Sequence, residues 1–180
     1  MRIGILIKGN SKHSSSAEEL TSLLRAQNFD IKVSITHSSD TQIQLKELIE
    51  SNCNLIVAAG GDGTIHECIN MIMRLNLNST LKLAHFPIGT ANDFAKTINQ
   101  SSEVISFIEQ IKNGKFTNID IGLVTTEFSN TPNYFINIAD AGIGGEIIHR
   151  VNSGNKKLGT LTYPIHLIKG LLTLKKRMFS

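Results

Sequence analysis

Residues 58–70 read AAGGDGTIHECIN: two alanines that end the apolar run LIVAA (55–59), three glycines around one carboxylate, then Ile65 and Ile69, with Ile72 and Met73 continuing the helical spacing. An apolar run of strand length, a glycine loop and an amphipathic stripe in that order describe a strand that turns directly into a helix. Glycine allows backbone N–H groups to approach a ligand closely, and a helix's first turn adds unpaired donors and the positive end of its dipole. That combination suits phosphate oxygens. Asp62 repels a phosphate unless a divalent cation stands between them, so its place in the loop reads as a metal-side ligand for a nucleotide. A second reading makes GGDG a tight turn with a solvated aspartate.

The same unit repeats on either side. RIGILIK (2–8), DIKVSIT (30–36), NLIVAA (54–59) and LKLAHFP (81–87) read as strands, and their near-continuous apolar character indicates burial on both faces. Between them, Ser16 with Glu19, Thr41 with Gln44 and Thr64 with Glu67 fit the S/T-x-x-E/Q capping box, which places three helix starts. Leu20, Leu23 and Leu24, then Leu45, Leu48 and Ile49, supply the core-facing stripes of the first two helices. A further helix carries Val104, Phe107, Ile108 and Ile111 and stops at Gly114. The βαβαβαβ order predicts an α/β, Rossmann-like parallel sheet with helices on both faces and ligands at the carboxyl ends of the strands. The alternation breaks near residue 122. FTNIDIGLVTT and PNYFINIADAGIG read as strands around the polar turn EFSNTPN, so residues 123–180 are expected to begin a β-rich second domain with a C-terminal helix carrying Leu161, Ile165, Ile168 and Leu172.

Composition narrows the function. The chain has 180 residues, 41% hydrophobic and 18% charged, enough for one domain and part of another. No apolar run reaches the roughly 20 residues needed to span a bilayer, and IGILI is shorter than a signal-peptide core, which points to a cytoplasmic protein. Cys53 and Cys68 make no CxxC pair and no disulfide framework. A net charge of +3 is too small and dispersed to argue for nucleic acid.

A second loop, FPIGTANDFAK (86–96), places Gly89, Thr90, Asn92 and Asp93 after the next strand. Loops at neighbouring strand ends converge, so Asp62 and Asp93 can share a metal while Thr64 and Thr90 take phosphate oxygens. A plainer reading makes Asp93 a helix cap and Asn92 a turn residue.

Together, GGDGTIHECIN and PIGTANDFA resemble the paired motifs of the diacylglycerol kinase catalytic-domain family, which includes bacterial lipid kinases, sphingosine kinases and ceramide kinase. GGDGT alone is shared with NAD kinases and phosphofructokinases. Glu67, Asn70, Pro87, Gly89, Thr90, Asn92 and Asp93 favour the lipid kinases. ILIKGNS resembles a variant of the family's first loop, and the similarity of ITH (35–37) implies that Thr36 contacts the nucleotide. NIDIG (118–122) and FINIADAGIGGEI (135–147) resemble the passage into a lipid-facing β domain. The resemblance implies ATP- and Mg²⁺-dependent phosphorylation of a lipid hydroxyl, diacylglycerol or a sphingoid base among the acceptors, with peripheral contact at a membrane surface. It assigns Gly60, Gly61, Asp62, Gly63, Thr64, Glu67, Gly89, Thr90 and Asn92 to the nucleotide, and Asp62 and Asp93 to catalysis through the metal.

Family members also carry a later acidic DGE-type motif, the source of a general base, and a longer second domain. Neither is found here, so the chain is expected to be the nucleotide-binding half of a longer kinase or a truncated member. Unpaired strand edges after residue 134 then predict a homo-oligomer. Two other readings remain: a non-catalytic nucleotide- or protein-binding module, and an NAD kinase. HECIN lacks the second histidine of HExxH, no GxxxxGK[ST] occurs, GIGGEI lacks the third glycine of a dinucleotide fingerprint, and the histidines show no zinc spacing. KGLLTLKKR fits either a helix C-terminus or contact with anionic lipid.

Overall fold

Four apolar strands, β1 (Arg2–Lys8), β2 (Asp30–Thr36), β3 (Leu55–Gly60) and β4 (Lys82–Pro87), pair in parallel in the order β2-β1-β3-β4. They belong to a computed structural model that describes residues 1–9, 14–36, 41–127 and 129–139. The C-terminal helix expected around Leu161–Leu172, the GIGGEI segment and KGLLTLKKR lie outside the described residues.

Helices α1 (Ser14–Ala26), α2 (Thr41–Glu50), α3 (Asp62–Arg74), α4 (Asp93–Thr97) and α5 (Val104–Asn113) flank the sheet. Period-two alternation divides each strand between two cores. Ile3, Ile5, Ile7, Val57, Ala59 and Phe86 pack with Leu20 and Leu24 of α1 and with Val104, Phe107, Ile108 and Ile111 of α5. Leu6, Ile56 and Ala58 face the other way, against Leu45 and Leu48 of α2, Ile65, Cys68 and Ile69 of α3, and Phe94 of α4. This is the expected α/β layering, and every residue of β3 is buried as an inner strand requires.

The three capping boxes do not mark the helix starts. Helix α1 begins at Ser14, which puts Ser16 inside its first turn, and Thr41 is already the first residue of α2. In α3 the N-cap is Gly61, in extended backbone at φ −96° and ψ −166°, and no side chain caps it. The amides of Thr64 and Ile65 turn back to the Gly61 carbonyl at 3.0 and 3.3 Å, so Thr64 is a helical residue and not a cap. With no side chain at Gly60 or Gly61 to hold the chain off the helix, winding begins as the strand ends. Helix α5 starts at Val104 and stops at Gly114, whose φ of 59° is left-handed.

Strands β5 (Gly122–Thr126) and β6 (Ser129–Phe135) form an antiparallel hairpin with an irregularity between Val124 and Thr126. The segment read as a polar turn, EFSNTPN, therefore lies largely in β6, while Phe116–Asp120 is not strand. The chain divides into two units, Met1–Asn137 and Ile138–Ser180, and every element named above lies in the first. No helix among the described residues is long and apolar enough to cross a membrane.

Candidate functional site

The strand register brings the carboxyl ends to one rim: Lys8 pairs with Thr36, Ile7 with Ala59, and Gly60 with Pro87. The loops after β3 and β4 are thus immediate neighbours, whereas Thr36 stands two strands away from Gly60, roughly 10 Å by ordinary strand spacing.

The two glycine loops touch through their backbones. A Cβ added at Gly61 would lie 3.2 Å from the Gly89 Cα, and one at Gly89 would overlap the Gly61 Cα. A Cβ at Gly60 would collide with the Thr64 side chain, which is buried beneath the loop. Gly63 is different, because nothing lies within 4 Å of its Cβ position. The flank of the first turn of α3 is therefore open at Gly63. The amides of Asp62 and Gly63 have no acceptor within the helix, since the first internal bonds are made by Thr64 and Ile65. The glycines supply close approach and the helix start supplies donors, which is what a phosphate needs.

Asp62 crosses between the loops. Its Oδ2 accepts the Asp93 amide at 3.1 Å and its Oδ1 accepts the Phe94 amide at 3.0 Å, so it caps the first turn of α4. Asn92, in left-handed backbone at φ 52°, holds a helix N-cap position without capping. Its Oδ1 accepts from the Gly89 amide at 3.0 Å, and its Nδ2 donates to the carbonyls of Gly89 at 2.9 Å and Pro87 at 3.4 Å. Asn92 is thus a turn residue, and the cap that the plainer reading gave to Asp93 is supplied by Asp62. Asp93 itself is exposed and pairs with Lys96 at 3.0 Å.

Two residues of the nominated site, Thr36 and Glu67, carry buried oxygens with no partner, Oγ1 and Oε2, as does Gln44 of α2 at Oε1. Unpartnered buried oxygens are uncommon, and at the rim of the loops a ligand group or water can complete their bonding. Thr90 is exposed at the tip of the second loop.

Among the described residues no group of three or more His, Cys, Asp or Glu could hold a metal ion. A cation carried by a nucleotide needs only one or two carboxylates, with phosphate oxygens and water filling the rest. Asp93 is an exposed carboxylate, and each Asp62 oxygen keeps a lone pair beyond the one used on a backbone amide. The donor set fits a phosphate-borne cation and not an ion caged by protein alone.

The sequence reading missed His85. It is buried on β4, its Nε2 lies 3.0 Å from the Gly60 carbonyl, and its ring stacks on Phe94 with centroids 6.0 Å apart. The signal was available, because an imidazole inside LKLAHFP must find a buried partner. Asn70, which the sequence marks only through the family resemblance, ties two elements together. Its Nδ2 donates to the Tyr134 carbonyl and its Oδ1 accepts the Tyr134 amide, both at 2.9 Å. Arg74 adds bonds to the Pro132 carbonyl, so α3 grips β6. Both cysteines are free and buried, and burial pushes the Cys68 thiol up to about 12, which makes it unreactive.

Both the sequence and the fold resemble those of known proteins. The sequence model of the diacylglycerol kinase catalytic domain matches residues 6–124. Over 173 residues the chain is 30% identical to a Klebsiella pneumoniae (strain 342) protein described as "Probable lipid kinase YegS-like", a match covering 95% of this chain and 56% of that one. A Yersinia pestis (strain Pestoides F) protein of the same description is 29% identical and 57% covered. The chain therefore spans little more than half the length of these curated relatives. A solved diacylglycerol kinase from Bacillus anthracis str. Sterne shares the fold, with a TM-score of 0.57 over 81% of this chain and 50% of that one at 23% identity. With the match running from β1 into β5 and enclosing both glycine loops, the chain belongs to the diacylglycerol kinase catalytic-domain family.

Proposed function

We propose that this chain is the nucleotide-binding half of a lipid kinase that transfers the γ-phosphate of ATP to a lipid hydroxyl. One observation carries the reading: Gly61 and Gly89 meet backbone to backbone beside the first turn of α3, where the Cβ position of Gly63 is open and the first amides have no acceptor within the helix. In this account the amides of residues 61–63 bind phosphate oxygens, and Thr64 sets the loop's shape from below. Thr90 adds a hydroxyl at the rim. Thr36 and Glu67 offer their unpartnered oxygens to the rest of the nucleotide or its water shell. Asp93 and the free lone pairs of Asp62 face the Mg²⁺ that accompanies ATP, and that ion, when bound, offsets charge on the transferring phosphoryl group. Residues 1–122 form the nucleotide domain and residues 123–180 begin the lipid-facing one, with the acceptor supplied from a membrane surface at which the protein is peripheral. Strand β5, exposed beyond Gly122, favours self-association.

The test is phosphate transfer by the native protein from labelled ATP to diacylglycerol or sphingosine in mixed micelles, with NAD as the competing acceptor. Label in the lipid phase supports the proposal. Label on NAD replaces it with the NAD kinase reading, and ATP binding without transfer to either replaces it with the binding-module reading.

A further inference from the structure

His85 lies outside the motif residues, yet its contacts close a ring around both loops. The Gly60 carbonyl can only accept, so Nε2 carries the proton in the 3.0 Å bond from His85. Burial lowers the pKa of this imidazole against the opposing pull of the Gly60 carbonyl and Asp62, which keeps the ring neutral near pH 7. In the neutral ring Nδ1 is then a bare lone pair, and it is buried without a hydrogen-bond partner. An apolar side chain would avoid that orphaned atom, and Phe94, which stacks on the ring, belongs to an apolar cluster with Ile56, Ala58 and Leu83. Nor does the Gly60 carbonyl need His85 for satisfaction, because the Ile88 amide already reaches it at 3.1 Å.

What the second donor adds is direction. In a planar trans peptide the C=O and the following N–H point opposite ways, so holding the Gly60 carbonyl toward β4 aims the Gly61 N–H away from it. A Gly–Gly peptide is the one most free to flip, since neither neighbour has a Cβ to oppose it. A face of the ring stacks on Phe94, whose amide is bound by Asp62 at 3.0 Å, so the circuit runs Gly60, His85, Phe94, Asp62 and back along the chain.

We propose that His85 is a positioning residue that latches the Gly60–Gly61 peptide and thereby aims the phosphate-facing amides of the loop. Its effect on ligand binding rests on the nucleotide reading above; the latch itself does not. His85→Phe keeps a planar side chain against Phe94 but removes the donor and the orphaned nitrogen, whereas His85→Gln keeps an N–H donor at comparable reach. In the 180-residue chain, His85→Phe should match or exceed the parent's melting temperature. It should nevertheless raise the Kd for Mg-ATP about tenfold and speed exchange of the Ile88 amide about tenfold, the scale of one lost hydrogen bond. His85→Gln should stay within about threefold of the parent in both. A merely structural histidine would move stability and affinity together, and that result overturns the latch. Unchanged Ile88 exchange in His85→Phe also overturns it, whether or not nucleotide binds. If the parent chain binds no Mg-ATP, the nucleotide reading fails while Ile88 exchange still decides the latch.

Discussion

Asp62 does two things that its motif does not distinguish. As a bare GGDG carboxylate it reads as a metal ligand, yet each of its oxygens accepts a backbone amide from the second loop. That second role was invisible in the sequence, because the partners are backbone groups 31 and 32 residues away. Asp62→Ala leaves those two amides without their acceptor and should lower stability by about 2 kcal/mol, with chemical denaturation as the measure. Loss of nucleotide binding without loss of stability would mean that the carboxylate acts on the ligand alone. His85 gives a second residue-scale prediction. Its folded pKa lies below 6.5 through burial, so between that value and 6.5 the unfolded chain binds a proton that the folded chain refuses. Stability from this residue is therefore present above pH 6.5 and falls as pH drops toward the folded pKa. His85→Phe should flatten that part of the stability profile, and an unchanged slope would place the proton uptake elsewhere.

Helix bodies were legible, and of their ends only the stop of α5 at Gly114 was. The stripes Leu20–Leu24, Leu45–Leu48 and Val104–Ile111 all face the cores as their spacing demands, because periodicity reports which face is buried. Starts were misread where a serine or threonine inside the first turn resembled a cap. Stops went unnoticed for a related reason: the residues in left-handed backbone just beyond α1, α2, α3 and α4 are Asn28, Asn52, Asn76 and Asn99, not glycine. Three of these ends are closed by a bond back across the last turn, Phe29 to Leu24 at 3.1 Å, Leu77 to Ile72 at 3.0 Å and Gln100 to Ala95 at 2.7 Å. The grip of α3 on β6 was also beyond sequence reasoning, since Asn70 and Tyr134 are 64 residues apart. Asn70→Ala should cost about 2 kcal/mol and release the hairpin selectively, so that the Tyr134 amide exchanges faster while those of β3 do not. Uniform acceleration across the chain would instead mean global destabilisation.

For the molecule as a whole, the parallel sheet follows from local patterns, and the site follows from the sheet. Once β3 and β4 pair in register from Leu55–Lys82 to Gly60–Pro87, their loops must emerge side by side. Glycine at both 61 and 89 is then a packing requirement, and the proposed phosphate site asks for the same residues. The loops were legible because both demands fall on the same residues; the brace of Asp62, Asn92 and His85 was not, because it is built from contacts between them. The central claim is that these braced loops form a nucleotide-phosphate site, and calorimetric titration of the 180-residue chain with ATP, with and without Mg²⁺, tests it most directly. The account predicts saturable one-to-one binding that strengthens with Mg²⁺ and is competed by ADP. Absence of binding by a chain whose amide exchange shows α3 and β3 folded would contradict it.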